Sequence, residues 1–260
     1  MSLGAEALEG GVNAQAAPGA AVEARGLCAG YGARAVVHDV DVVVRPGEVV
    51  ALLGPNGAGK TTTLLALAGE LPLLAGEVLL NGRATSLPLH RRARNGLSFV
   101  TEERSVFRGL SARDNLRVAG VDPADALRLF PELEPRLDVR GGLLSGGEQQ
   151  MLTLARALCR RPSILLADEL SLGLAPLVVR RLLEAVRAAA DEQGTAVLLV
   201  EQHVRKALEH SDRAYVMRRG RIELSGTADE MRARLSEIED SYLSRDGAQP
   251  GVDAPPTKEE

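Results

Sequence analysis

The chain has 260 residues, is 45% hydrophobic, and carries a formal net charge of −4. That length supports a full buried core, as one large domain or one domain with a subdomain, and the acidic balance argues against a free-standing basic surface for nucleic acid. No segment approaches the roughly 18 consecutive apolar residues that span a membrane, and the first residues lack the charged and apolar regions of a signal peptide. The two cysteines, Cys28 and Cys159, form no metal or redox spacing and read as core thiols of a reducing compartment.

In chain order, residues 1–20 are Ala/Gly-rich and aperiodic and read as a disordered lead. The run "HDVDVVVRPGEVVALLG" gives two β segments around a Pro46-Gly47 turn, the second being a strand from Glu48 to Leu53. "KTTTLLALAGEL" reads as a helix broken near Gly69. "GLSFV", "SILLAD" and "TAVLLV" are short apolar runs without alternation, as expected of parallel strands covered on both faces. About 60 residues rich in Leu, Ala and Arg separate the first two of these runs. They predict a helical subdomain, residues 103–160, inserted into an α/β core that spans 21–245. Residues 246–260 are rich in Pro, Gly and charge and read as a disordered tail.

"LLGPNGAGKTT" is the strongest chemical signal. Gly54, Gly59, Lys60 and Thr61 satisfy G-x-x-x-x-G-K-[ST] between a strand and a helix, a phosphate-binding loop. Glycine lets the loop Gly54-Pro55-Asn56-Gly57-Ala58-Gly59 close around phosphates with its backbone N–H groups, Pro55 having none to give, and the helix N-terminus adds positive potential. Lys60 supplies a point charge, Thr61 a hydroxyl for Mg²⁺, and Thr62 continues the loop into the helix. "SILLADE" ends an apolar strand in two acids. Asp168 is the candidate Mg²⁺ ligand, and Glu169 the group that orients or deprotonates water. Together these motifs predict a P-loop NTPase and leave its class open.

"LLSGGEQQM" narrows it. Ser145 fits an N-cap, with Glu148 completing a capping box. Capping needs no tandem glycine, however. Gly146 and Gly147 expose N–H groups at a helix N-terminus, a second anion-facing loop. One chain with two such loops holds two nucleotides, or shares one with another chain.

Leu144-Ser145-Gly146-Gly147-Glu148-Gln149, between a P-loop and an Asp-Glu strand, resembles the signature motif of ATP-binding cassette (ABC) ATPases. The resemblance covers roughly residues 22–240. It implies an ABC ATPase fold: a P-loop NTPase core with a mainly parallel sheet, an antiparallel β subdomain and the inserted helical subdomain. It also implies that the signature touches ATP held by the P-loop of a partner subunit. By the same resemblance Tyr31 falls where an aromatic stacks on adenine. Glu102 takes the place of a glutamine and keeps an oxygen for Mg²⁺ or its water, and Ala175 takes that of an aspartate. The residue that senses the γ-phosphate is Gln202 or His203. An ungapped alignment on "HSDRAYVMRRGRI" favours Gln202; a bulge at the strand end would turn His203 inward.

"LPLHRRARNGLSFVTEERSVF", "LSGGEQQML" and "LSLGLAPLVV" are similar to the ATP-binding subunits of branched-chain amino acid importers. Local departures are Leu170 for a usual proline and Thr101-Glu102-Glu103 for Pro-Glu-Gly. The resemblance implies an ATPase with ATP and Mg²⁺ as cofactors, cytoplasmic and peripheral on the inner face of the cell membrane. Its implied partners are transmembrane permease subunits, contacted near Glu102 to Arg117. A second ABC ATPase is also implied, a homologue in the working transporter with a homodimer as the other possibility. An extracytoplasmic solute-binding protein acts indirectly, and nucleic acid is not a partner. The competing readings are a regulatory, weakly hydrolysing cassette, a non-transport ABC ATPase, and an exporter.

Overall fold

The computed structural model describes residues 19–243, with side chains to residue 239. The predicted lead and tail, Gly19 and Ala20 apart, lie outside the described residues. Ala20 is buried, and Ala21 donates to the Val44 carbonyl at the start of the first sheet.

Two sheets organise the chain. β1 (Val22–Tyr31), β2 (Arg34–Val44), β4 (Leu73–Leu80) and β5 (Arg83–Ala84) form an antiparallel sheet in the order β2-β1-β4-β5. The second sheet contains β3 (Val49–Leu53), β6 (Leu97–Val100), β7 (Ile164–Asp168), β8 (Ala196–Glu201), β9 (Arg213–Arg218) and β10 (Arg221–Thr227). Its order is β10-β9-β3-β8-β7-β6, parallel throughout except for the β9-β10 hairpin. The expected strand from Glu48 begins one residue later, at Val49, because the Glu48 side chain closes the turn by accepting from the Arg45 N–H at 2.8 Å.

β3, β7 and β8 are buried at every position, which explains their unbroken apolar runs. The pleat sends alternate residues to opposite layers. On β8, Val197 and Leu199 join a cluster with the insert and the long helix α6 (Pro176–Gln193). Leu198 and Val200 join one with the antiparallel sheet and α1 (Lys60–Ala68). A smaller cluster packs α7 (Val204–Glu209), α8 (Ala228–Ala233) and Ile238 of α9 (Leu235–Leu243) under β3 and β9.

Between α2 (Leu89–Arg94) with β6 and the strand β7 lies the helical insert: α3 (Ala112–Val118), α4 (Pro123–Leu129), two short 3₁₀ turns and α5 (Gly146–Leu158). Residues 103–111 of the predicted insert form a non-helical loop. Asn115, fully buried, holds that loop: its amide donates to the carbonyls of Phe107, Leu110 and Ser111, and its oxygen accepts from the Phe107 N–H at 2.8 Å. The insert has no core of its own, since Leu116, Phe130 and Leu154 share a cluster with Leu165 and Leu199 of the sheet. No described helix is long and apolar enough to cross a membrane.

Candidate active site

In a parallel sheet, ligand sites form beyond the carboxyl ends of the strands. Here β3 runs into the glycine loop, β7 ends in Asp168, β8 ends in Glu201, and β6 leads to Glu102. β8 lies between β3 and β7, so its end reaches both motifs. A pocket of about 380 Å³ results, lined among others by Asn56, Lys60, Thr61, Glu102, Glu169 and Gln202.

The loop is tightly enclosed. A Cβ on Gly54 would stand 2.3 Å from the Met217 carbonyl oxygen, so no other residue fits there without moving β9. The hairpin turn after β9 supports the loop from outside. Gly220 donates to the Ala58 carbonyl at 2.8 Å, and its own carbonyl accepts from His38 at 2.8 Å. Val36 of β2 closes one side of the pocket. This buttress from β2 and the β9-β10 turn was not expected from the sequence; the "RRGRI" turn is its only local trace.

Lys60 is buried, and its ammonium donates to the carbonyls of Gly54 (2.8 Å) and Pro55 (3.1 Å), with Glu169 Oε1 at 4.0 Å. Burial lowers its pKa, opposed by Glu169, Asp168 and Glu201. Burial also pushes the Asp168 carboxyl up to about 6. The Thr61 hydroxyl bond opposes this, Glu169 and Glu102 add to it, and Lys60 opposes it. Asp168 Oδ1 is buried without a hydrogen-bond partner. A hard divalent cation fits this donor set: a carboxylate oxygen lacking a partner, a hydroxyl, and surrounding negative charge. Among the described residues no three acids, histidines or cysteines form a closed metal cage. Glu102 is exposed at the pocket rim, within electrostatic reach of Asp168.

Glu169 has φ 47°, a left-handed backbone rare outside glycine. Its N–H donates to Val200 O at 3.0 Å. Its carboxylate receives the Gln202 amide nitrogen on both oxygens, at 2.7 Å each. His203 stands exposed at the start of α7 and does not line the pocket. Tyr31 is exposed at the β1-β2 turn, beside the strand that supplies Val36.

The signature residues lie elsewhere. Ser145 caps α5 and forms the reciprocal capping box with Glu148. Burial raises the Glu148 pKa, but the Ser145 N–H and Arg136, paired at 2.7 Å, hold it below its ordinary value. Gln149 ties the helix start back to the carbonyls of Gly141 (2.9 Å) and Leu144 (3.2 Å). A Cβ on Gly146 would lie 2.8 Å from the Arg104 guanidinium, which also donates to Leu172 O at 3.3 Å. A Cβ on Gly147 would lie 3.1 Å from the Val178 side chain. The Arg104 contact crosses from the Glu102 loop to the signature helix, a role with no local trace in the chain. Ser145 is exposed, and none of residues 144–149 lines the pocket of its own chain.

A glycine loop with its lysine, a strand-end acid pair and a hydrogen-bonded glutamine on one parallel sheet define a P-loop NTPase. A family model described as ABC transporter matches residues 37–171. The chain belongs to that family; it is the ATP-binding subunit of an ABC transporter, and an ATPase. Among curated relatives, the high-affinity branched-chain amino acid transport ATP-binding protein BraG of Pseudomonas aeruginosa is 40% identical, over 82% of this chain and 95% of that one. The probable branched-chain amino acid transport ATP-binding protein LivF of Archaeoglobus fulgidus is 38% identical (79% and 91%). The lipopolysaccharide export system ATP-binding protein LptB of Escherichia coli is 36% identical (87% and 96%). A solved ATP-binding subunit of an ABC transporter superposes with a TM-score of 0.73 at 29% identity, over 86% and 99% of the two chains. A dimeric bacterial ABC transporter cassette, at 23% identity and TM-score 0.72 over 80% and 98%, shares the fold.

Proposed function

We propose that the chain hydrolyses Mg-ATP as one half of a nucleotide sandwich and energises import of branched-chain amino acids or similar small solutes. One observation carries the sandwich: the P-loop pocket is lined without any signature residue, while Ser145 stands exposed on another part of the same chain. A second cassette supplies the signature contact, and ATP then closes the dimer. In the working transporter that partner is a homologous ATPase, and two copies of this chain carry the same complementary parts. Within the site, Lys60 and the glycine loop hold phosphates, with Thr61, Asp168 and Glu102 around Mg²⁺. Glu169 orients or deprotonates the attacking water. Gln202 aims Glu169 and senses the γ-phosphate as a neutral donor. Tyr31 stacks on the base.

The permease contact falls on a groove of about 540 Å³ between the sheet and the insert, reaching Phe99, Phe107, Val118 and Arg156. Phe107 and Val118 are 47% and 62% exposed, large apolar groups on a loop and helix that Asn115 fastens together. Arg156 lies over the Phe107 ring at 5.1 Å. Such a surface suits an inserted segment of a membrane subunit at the inner face of the membrane. Import of branched-chain amino acids is supported by the BraG and LivF relatives and by Glu102, Ala175 and Gln202, which fit that branch; the LptB relative supports export instead. Retention of Glu169 argues against the weakly hydrolysing reading. The test is reconstitution with the membrane subunits and solute-binding protein in vesicles. ATP-dependent leucine uptake that stops in Glu169→Gln supports import. Robust ATP turnover coupled only to outward movement of lipid overturns it.

A further inference from the structure

Gln202 is not the only residue at the end of β8 that grips the bend after β7. Its neighbour Glu201 is 2% exposed, and both of its oxygens are engaged by one residue. Oε1 accepts the Ser171 N–H at 3.1 Å, and Oε2 accepts the Ser171 hydroxyl at 2.5 Å. Val200 holds the Glu169 N–H from the same strand. Val200 and Glu201 at the end of β8, with Gln202 just after it, thus fix the bend at Glu169 and Ser171. The bend needs fixing, because Glu169 is a non-glycine residue in the left-handed region (φ 47°), which persists only where its surroundings over-determine it.

We infer that Glu201 is a positioning residue for ATP hydrolysis: through Ser171 it holds the Asp168–Leu172 bend so that Glu169 faces the P-loop pocket. The inference rests on the ATPase role of Glu169. Glu201 itself does not line the pocket, and it acts through the loop. A carboxylate suits the task because it accepts two converging donors from one serine. Its burial is otherwise unfavourable. That burial pushes the carboxyl up to about 7; the Ser171 bonds oppose the rise, Glu169 adds to it, and Lys206 of α7 opposes it. An acid retained where an apolar residue would pack without such cost has a specific partner to hold. Leu172, the next residue after Ser171, lines the pocket and accepts from Arg104, so the clamp also sets the course of the loop that touches the Glu102 segment.

The experiment compares the full chain with Glu201→Gln, Ser171→Ala and the double variant, measuring kcat, KM and equilibrium Mg-ATP affinity. Glutamine keeps an acceptor and the shape, so the fold survives; thermal melting checks this. The expected result is a fall in kcat of about tenfold or more with KM and affinity nearly unchanged, and a double variant no worse than either single one. Unchanged kcat in folded Glu201→Gln overturns the clamp, as do additive losses in the double variant. Glu169→Gln is run beside them. If it turns over like the parent, the role of Glu169 fails, and that failure is recognised independently of the clamp variants.

Discussion

The Gln202 side-chain nitrogen donates to both carboxylate oxygens of Glu169, at 2.7 Å each, while the adjacent His203 faces solvent. One residue of register separates the two, and neighbours at a strand end point to opposite sides. The relationship leads to the expectation that Gln202→Ala lowers kcat by about tenfold or more while His203→Ala stays within about twofold of the parent. Steady-state turnover of the two variants checks it. The reverse pattern would make His203 the switch.

Lys60 donates to two loop carbonyls and holds a positive charge over the pocket. Losing a charge-assisted contact of about 2 kcal/mol or more, Lys60→Ala is expected to weaken Mg-ATP binding by about thirtyfold or more. Calorimetric titration reads this directly, and unchanged affinity would sink the P-loop assignment.

Ser145 caps α5 and stands exposed in the stretch that resembles the signature motif. As a cap alone, Ser145→Ala costs about 1 kcal/mol of stability. As a signature contact it also lowers turnover well beyond that small loss while leaving Mg-ATP binding to the isolated chain unaltered. Melting, nucleotide affinity and turnover on the same variant separate the roles. Turnover that tracks stability alone would leave only the cap.

Glu201 has a pKa of about 7 in the folded chain against an ordinary 4.5. The folded state therefore holds the proton longer than the unfolded state. Its contribution to stability is present below about pH 4.5 and is lost as pH rises through about 7. Glu201→Gln removes this dependence. The melting temperature of the parent relative to the variant is expected to fall between pH 5 and pH 8, and a constant difference would contradict the assignment.

The parts of the site set by local chemistry were legible in the chain. Gly54 to Thr62 and Asp168-Glu169 announce themselves by spacing and by the apolar strands before them, and Ser145-x-x-Glu148 is a capping box in the sequence itself. The parallel sheet was legible in "SILLAD" and "TAVLLV", since strands buried on both faces lose alternation. What stayed hidden depends on strand order. Only the insertion of β8 between β3 and β7 brings Gln202 to Glu169 and Glu201 to Ser171, residues some thirty positions apart. The Gly220 buttress and the Arg104 contact with Gly146 are long-range in the same way. The insert read as a separate subdomain because its composition shifts, yet its apolar side chains continue the core under the sheet.

The most direct test of the sandwich is the solution mass of Glu169→Gln, by sedimentation or light scattering, with and without Mg-ATP. If two copies supply both halves of the site, a variant without the Glu169 carboxylate is expected to hold the ATP-bound dimer. The expected result is a monomer that ATP converts to a dimer, and a return to monomer when Ser145 is also replaced by a bulky residue. A chain that binds Mg-ATP tightly while its mass stays that of a monomer would contradict a sandwich of two copies and leave the signature contact to the homologous ATPase.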